Sequence, residues 1–127
     1  MSTAHTRGIR VDVESEFLEA HSSPRDQLWV YAYHVTITNL GEETVQLLTR
    51  RWVITNSGGD EQVVEGSGVV GQQPVLRKGE SFRYTSGCPL DTSMGTMHGS
   101  YGLLSDEGDS FDAEVAPFTL AEPYSIN

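Results

Sequence analysis

A chain of 127 residues, 37% of them hydrophobic, has the length of one domain and enough apolar material to bury its own core, which excludes global disorder. Its 8 lysines and arginines stand against 18 aspartates and glutamates, a formal charge of -10, and Arg50-Arg51 and Arg77-Lys78 are the only adjacent basic pairs. That balance argues against binding nucleic acid or an anionic membrane through a basic surface, and it suits cationic partners and weak divalent-cation binding.

Met1 to Arg7 is polar and lacks the apolar core of a signal peptide, so residues 1–7 are expected as a flexible tail and residues 8–127 as a single domain. Ile9, Val11 and Val13 alternate with Arg10, Asp12 and Glu14, the period of a half-buried strand. His21-Ser22-Ser23-Pro24-Arg25-Asp26 then clusters turn-forming residues around a proline that a central strand would not tolerate. Leu28 to Asn39 carries the strongest strand pattern, with Trp29, Tyr31, Tyr33, Val35 and Ile37 on the face expected in the core and His34, Thr36 and Thr38 facing out. Asn39 to Glu43 supplies a glycine-containing turn, and Val45 to Thr55 follows with Leu48, Trp52 and Ile54 at even spacing. These two runs are expected to pair as a hairpin.

Asn56-Ser57-Gly58-Gly59-Asp60 is a further turn, followed by a short apolar run at Val63 and Val64. Gly66 to Gly79 is glycine-rich, contains Pro74 and has no clean period, which predicts a long ordered loop with Val75 and Leu76 tucked inward. Phe82, Tyr84 and Ser86 alternate; Cys88 to Gly95 reads as an irregular crossing; Met97 to Leu104 resumes as a strand. Ser105 to Ser110 makes an acidic turn before Phe111, Ala113 and Val115 alternate into Pro117. About seven strands, each with one apolar face to bury, predict an all-β sandwich. Tyr101, two residues before Leu103, matches the short tyrosine-corner pattern of immunoglobulin-like domains.

Among residues able to carry chemistry, Gly66-Ser67-Gly68-Val69-Val70-Gly71 satisfies G-x-G-x-x-G, whose glycines let backbone amides approach a pyrophosphate. A dinucleotide site also needs a following helix, and Pro74 stands where that helix would propagate; Asp91, 20 residues after Gly71, has no βαβ unit around it. The motif is therefore read first as a loop needing positive φ or close packing. The alternative is a nest of amides for phosphate or nucleotide at Gly66, Ser67, Gly68 and Gly71, with Arg77 and Lys78 as cationic support.

Asp106, Glu107, Asp109 and Asp112 lie close together but do not follow a calcium-loop spacing, and His5, His21, His34 and His98 make no zinc pattern with one cysteine. No metal or cofactor is expected. Cys88 precedes a proline with no base beside it in sequence and reads as a structural thiol; there is no G-x-S-x-G elbow, so no catalytic residue is assigned. A single cysteine excludes an internal disulfide and fits a reducing cytoplasm, and no stretch approaches the about 18 apolar residues of a membrane span.

The strand Trp29 to Asn39, the run Leu47 to Ile54, the loop Gly66 to Pro74, Phe82 to Leu90, Met94 to Tyr101 and Pro117 to Leu120 together resemble the bacterial ApaG family over nearly the whole chain. The resemblance implies an immunoglobulin- or fibronectin type III-like sandwich. It associates the chain with cobalt resistance and magnesium efflux, which without a membrane span would be indirect, and with genetic neighbourhood to diadenosine tetraphosphate hydrolysis. Similar domains in eukaryotic F-box proteins and in a DNA-polymerase-interacting protein imply a non-enzymatic module for a protein partner. The family's glycine motif stands intact at Gly66, Gly68 and Gly71.

Overall fold

A computed structural model describes residues 1–123. The strands are β1 (Ser2–Thr6), β2 (Ile9–Phe17), β3 (Trp29–Asn39), β4 (Val45–Asn56), β5 (Glu61–Ser67), β6 (Val75–Leu76), β7 (Ser81–Leu90), β8 (Met94–Ser105) and β9 (Ser110–Ala121), with two short 3-10 turns at Glu19–His21 and Pro24–Asp26. One antiparallel sheet has the order β1-β2-β3-β7; the other has β5-β4-β8-β9, with β6 paired to β4. The sandwich is as expected, but it is built from nine strands among the described residues.

One added strand comes from residues expected as a tail. Ser2–Thr6 pairs along β2, from Ser2 opposite Val13 to Thr6 opposite Ile9, across a two-residue turn in which Arg7 and Gly8 both have positive φ. Two positive-φ residues make the turn whose twist matches a hairpin, so the polar segment is pinned as an edge strand. Residues 124–127 of the expected domain lie outside the described residues.

The inward faces read for β2 and β3 are largely as expected: Ile9, Val11, Val13, Tyr31, Tyr33, Val35 and Ile37 are all buried in one core, while Trp29 is only partly buried and Thr38, expected to face out, is buried with its hydroxyl bonded to Ser81. The expected β3–β4 hairpin does not form. β3 pairs with β2 and β7, while β4 pairs with β5, β6 and β8, so the chain crosses from one sheet to the other between Asn39 and Val45. Asn39 makes the corner. Its side chain, 1% exposed, donates from Nδ2 to the carbonyls of Glu43 (2.8 Å) and Leu76 (2.9 Å) and accepts at Oδ1 from the Gly41 amide (3.0 Å). Main-chain carbonyls at the crossing, that of Leu76 buried, are satisfied by this one carboxamide.

Two bulges reset the inward-facing positions. The β4–β8 register shifts between Leu47 and Thr49, so Val45 and Leu47 point inward before it and Arg50, Trp52 and Ile54 after it. Leu47 is thus fully buried where Leu48 was expected, and Leu48 is half-buried. In β9 the phase moves from Ala113 and Val115 to Phe118 and Leu120 around Pro117, opposite a register shift at Met97 and Gly99. Cys88 to Leu90, expected as part of an irregular crossing, continue β7. Val75, expected inward, is exposed, whereas Leu76 is buried.

The sandwich is closed on one side only. β9 packs on β1 and β2, where the Glu114 amide donates to Thr6 Oγ1 (3.1 Å) and Ser15 Oγ donates to the Thr119 carbonyl (2.9 Å). No comparable packing joins β5 to β7 among the described residues. Replacing Asn39 by alanine leaves the Leu76 carbonyl buried without its donor and is expected to cost about 2–4 kcal/mol, read as a lowered midpoint in urea unfolding with an unchanged slope.

Candidate functional site

The open side forms a groove between β5 with its following loop and β7. Three adjoining depressions of about 390, 140 and 230 Å³ run along it. The middle one is apolar, with Tyr33 and Trp52 at its base and Ile54, Val64, Cys88, Pro89 and Met97 around them. Tyr33 meets the Trp52 ring edge-on at 5.2 Å between centroids. The first depression is rimmed by Asp60, Glu61 and Asp91 with no basic residue, and among the described residues none of these carboxylates has a cationic partner. The third lies beneath Val69, Val70 and Gly71, against Tyr33, Tyr84, Ser86 and Arg50.

Arg50 reaches this place because the bulge at Leu48 turned its position inward. Its Nη1 donates to the carbonyls of Ser67 and Gly68, both at 2.9 Å, and the guanidinium lies over Gly66, where a Cβ would approach it to 2.7 Å. Beneath it, Tyr84 and Tyr101 are hydrogen-bonded hydroxyl to hydroxyl. Tyr101 therefore serves a cross-sheet contact from within β8. The tyrosine-corner expectation is corrected: that motif needs a tyrosine near a strand start, bonded back to nearby backbone.

The glycine motif is a hairpin turn. The Gly68 amide donates to the Leu48 carbonyl (2.8 Å), and Val69 and Gln72 exchange amide-to-carbonyl bonds, each 2.8 Å. Val70 (φ 43) and Gly71 (φ 79) occupy the two central positions, a type I′ geometry. Gly68 (φ 64) is sterically required, since a Cβ there would run into the Gln72 carbonyl. Two of the motif's amides, those of Gly68 and Val69, are thus consumed within the fold, and the short strand β6 follows it, not a helix.

The structure brings Gly66, Ser67, Gly68 and Gly71 together but does not bring Arg77 and Lys78 to them. The latter lie in the turn before β7, where Lys78 Nζ binds Glu42 at 2.8 Å and the Arg77 amide donates to Glu80. Of the acidic residues considered, Asp106 and Glu107 gather with Glu43, three carboxylates with oxygens within 4.8 Å of one another, while Asp109 lies 3.7 Å from Arg7. His34 is exposed on the outer face, bonded to Thr85 and Glu16. Burial pushes the Cys88 thiol up from its ordinary 9.0 to about 11, so it stays protonated at neutral pH.

A family model described as the ApaG domain matches residues 19–105. Protein ApaG of an Azoarcus species is 50% identical over 123 residues, 97% of each chain. The chain belongs to the ApaG family. Protein ApaG of Rhodospirillum centenum is similar at 51% identity over 119 residues, covering 94% of this chain and 92% of its own. A crystal structure of the putative ApaA protein from Bordetella pertussis superposes with a TM-score of 0.88 at 45% identity, covering 91% of this chain and 94% of that one. The matched ApaG segment contains every groove residue named above, whereas β1, β2 and β9, which close the opposite side, lie outside it.

The groove was not found from sequence. Two signals for it were present: Pro89 within a strand marks an edge, and Arg50 shares the even positions of Trp52 and Ile54 that point inward. A β-branched residue at positive φ is strained, so Val70→Asn, which completes an Asn-Gly type I′ turn, is expected to raise stability by about 1 kcal/mol in chemical unfolding. Burial also raises the phenols, Tyr31 from 10.0 to about 12, helped by the charge of Glu122. Such groups leave stability unchanged below pH 9; as pH rises from 9.0 through the folded values of about 11 and 12, the unfolded forms ionise first and stability falls. The melting temperature should decline across that window, with the buried tyrosinate absorbance appearing only as the protein unfolds.

Proposed function

We propose that this ApaG-family chain is a non-enzymatic, immunoglobulin- or fibronectin type III-like binding module of the cytoplasm that receives an extended segment of a partner protein in the groove between β5 and β7. The observation that carries this reading is the one-sided closure of the sandwich: two sheets that seal against each other at β9 stand apart at β5 and β7 over an apolar, aromatic base. Strained positions support it. Of the three non-glycine residues with positive φ among those described, Gln27 and Val70 line the two ends of the groove, and Val70 is an exposed hydrophobic residue as well.

Protonated groups at the groove base favour binding over catalysis. Cys88 and the buried phenols are all pushed up by desolvation, away from the range of a general base or nucleophile at neutral pH. The phosphate reading of the glycine loop has less support, because the Gly68 and Val69 amides are bonded within the hairpin. No helix of the described residues is long and apolar enough to cross a membrane, so a part in cobalt resistance or magnesium efflux would run through the partner.

Gln62 is exposed at the groove mouth, and Glu14 is exposed on the outer face of the other sheet. A photo-crosslinking amino acid at position 62, expressed in cells that carry this protein, is expected to give discrete protein adducts that the same group at position 14 does not. Val70→Asn should weaken the adducts while stabilising the fold. Identical adduct patterns from both positions would sink the groove reading.

A further inference from the structure

The groove offers more than an apolar cleft, because its β7 wall is, among the described residues, a free strand edge whose polarity can be read from the ladder. The Val30 carbonyl accepts from the Leu18 amide (2.8 Å) and the Val30 amide donates to Ser22 Oγ (2.9 Å), so both main-chain groups of Val30 turn away from β7. Its cross-strand partner is Pro89, which has no N–H to give. At the other end the Asn39 amide donates to the Glu80 carbonyl (2.9 Å) and the Gly79 amide to the Asn39 carbonyl, so odd positions of β3 bond to even positions of β7. The odd positions of β7, Thr85 and Gly87 among them, therefore direct their N–H and C=O groups to the open side. Gly87 is exposed, carries no side chain, and sits beside Cys88 and Pro89 along the groove.

A chain laid along this edge would add a fifth strand to the β1-β2-β3-β7 sheet and close the gap to β5. Its residue opposite Cys88 would point inward to Tyr33, Trp52, Val64 and Met97; its residue opposite Leu90, two positions away and about 7 Å along the strand, would point to the rim of Asp60, Glu61 and Asp91. Among the described residues that rim carries three carboxylates, no basic residue and no salt bridge, in a chain of net charge -10. Resting on the groove reading above, we infer that the occupant is an extended polypeptide segment paired to the free edge of β7 at Thr85 and Gly87, with an apolar side chain over Trp52 and an arginine or lysine two residues away against Asp60, Glu61 and Asp91.

The test uses the full-length protein and a capped nonapeptide, Thr-Arg-Thr-Val-Thr-Val-Thr-Arg-Thr, whose sequence is the same in both directions and so does not presuppose strand polarity. Amide-resolved NMR titration is expected to show saturable shifts at Thr85 and Gly87, with hydrogen exchange at the Gly87 amide slowed about tenfold or more at saturation. Replacing both arginines of the peptide by glutamate should weaken binding about fivefold or more, and the exposed double variant Asp60→Asn/Asp91→Asn should remove most of that difference. Equal binding of the two peptides at the groove would overturn the basic specificity and leave the groove reading standing. Shifts confined to Glu61–Ser67 would overturn the β7 pairing. Absence of binding by either peptide at millimolar concentration would overturn the whole inference, while adducts from position 62 would still speak for the groove.

Discussion

The crossing at Asn39 is the constraint from which the rest of the architecture follows. A hairpin at this point would have placed β3 and β4 side by side in one sheet, with their aromatic residues in a single row. Because the buried carboxamide of Asn39 satisfies the carbonyls of Glu43 and Leu76, the chain leaves one sheet and enters the other without stranding polar groups. β3 and β4 then face each other across the core, and Tyr33 meets the Trp52 ring from the opposite sheet. The base of the groove is a product of that crossing.

A second dependence runs through the bulge at Leu48. One register shift reverses the phase of β4, and a strand that began by burying Val45 and Leu47 continues by turning Arg50 and Trp52 inward. The displaced Leu48 carbonyl accepts from the Gly68 amide and from Gln73 Nε2, while Arg50 holds the carbonyls of Ser67 and Gly68. The glycine loop is thus tied down from both ends of one bulge. This explains how Val70 persists at positive φ at the tip: the anchors on either side over-determine the turn, and the strain is carried locally.

Local period was legible in the sequence, and long-range pairing was not. Ile9 to Glu14 and Trp29 to Thr38 announced their buried faces because neither run is interrupted, so alternation survives along the strand. Leu48 misled because a bulge moves every later side chain to the other face, and nothing in a period-2 pattern marks where the extra residue sits. Ser2 to Thr6 has no apolar alternation to read, since an edge strand in that position needs only main-chain bonds to β2 and the Arg7-Gly8 turn. The glycine motif was legible as strained turn chemistry, with Pro74 arguing against a helix, but the place of Arg50 over Gly66 depends on the bulge and could not be seen. The family resemblance identified the sandwich and left its open side undescribed.

Open edges in a sheet invite indiscriminate pairing, and the way this molecule limits that risk narrows what the groove would admit. β5 carries Glu61 and Glu65 along its exposed length, charges that oppose a second copy of the same acidic strand. β7 carries Pro89, which offers no donor, one residue before its end, and Arg83 toward its other end. Between them the unobstructed edge is short, Thr85 to Gly87, enough for a few main-chain bonds and too little for an extended cross-β contact. Affinity for a partner would then have to come from side chains entering the groove, where the apolar base and the acidic rim lie about two strand residues apart. A short permissive edge joined to a chemically graded groove favours one register over its neighbours, because a one-residue slip would turn the apolar side chain out to water and the charged one away from its carboxylates.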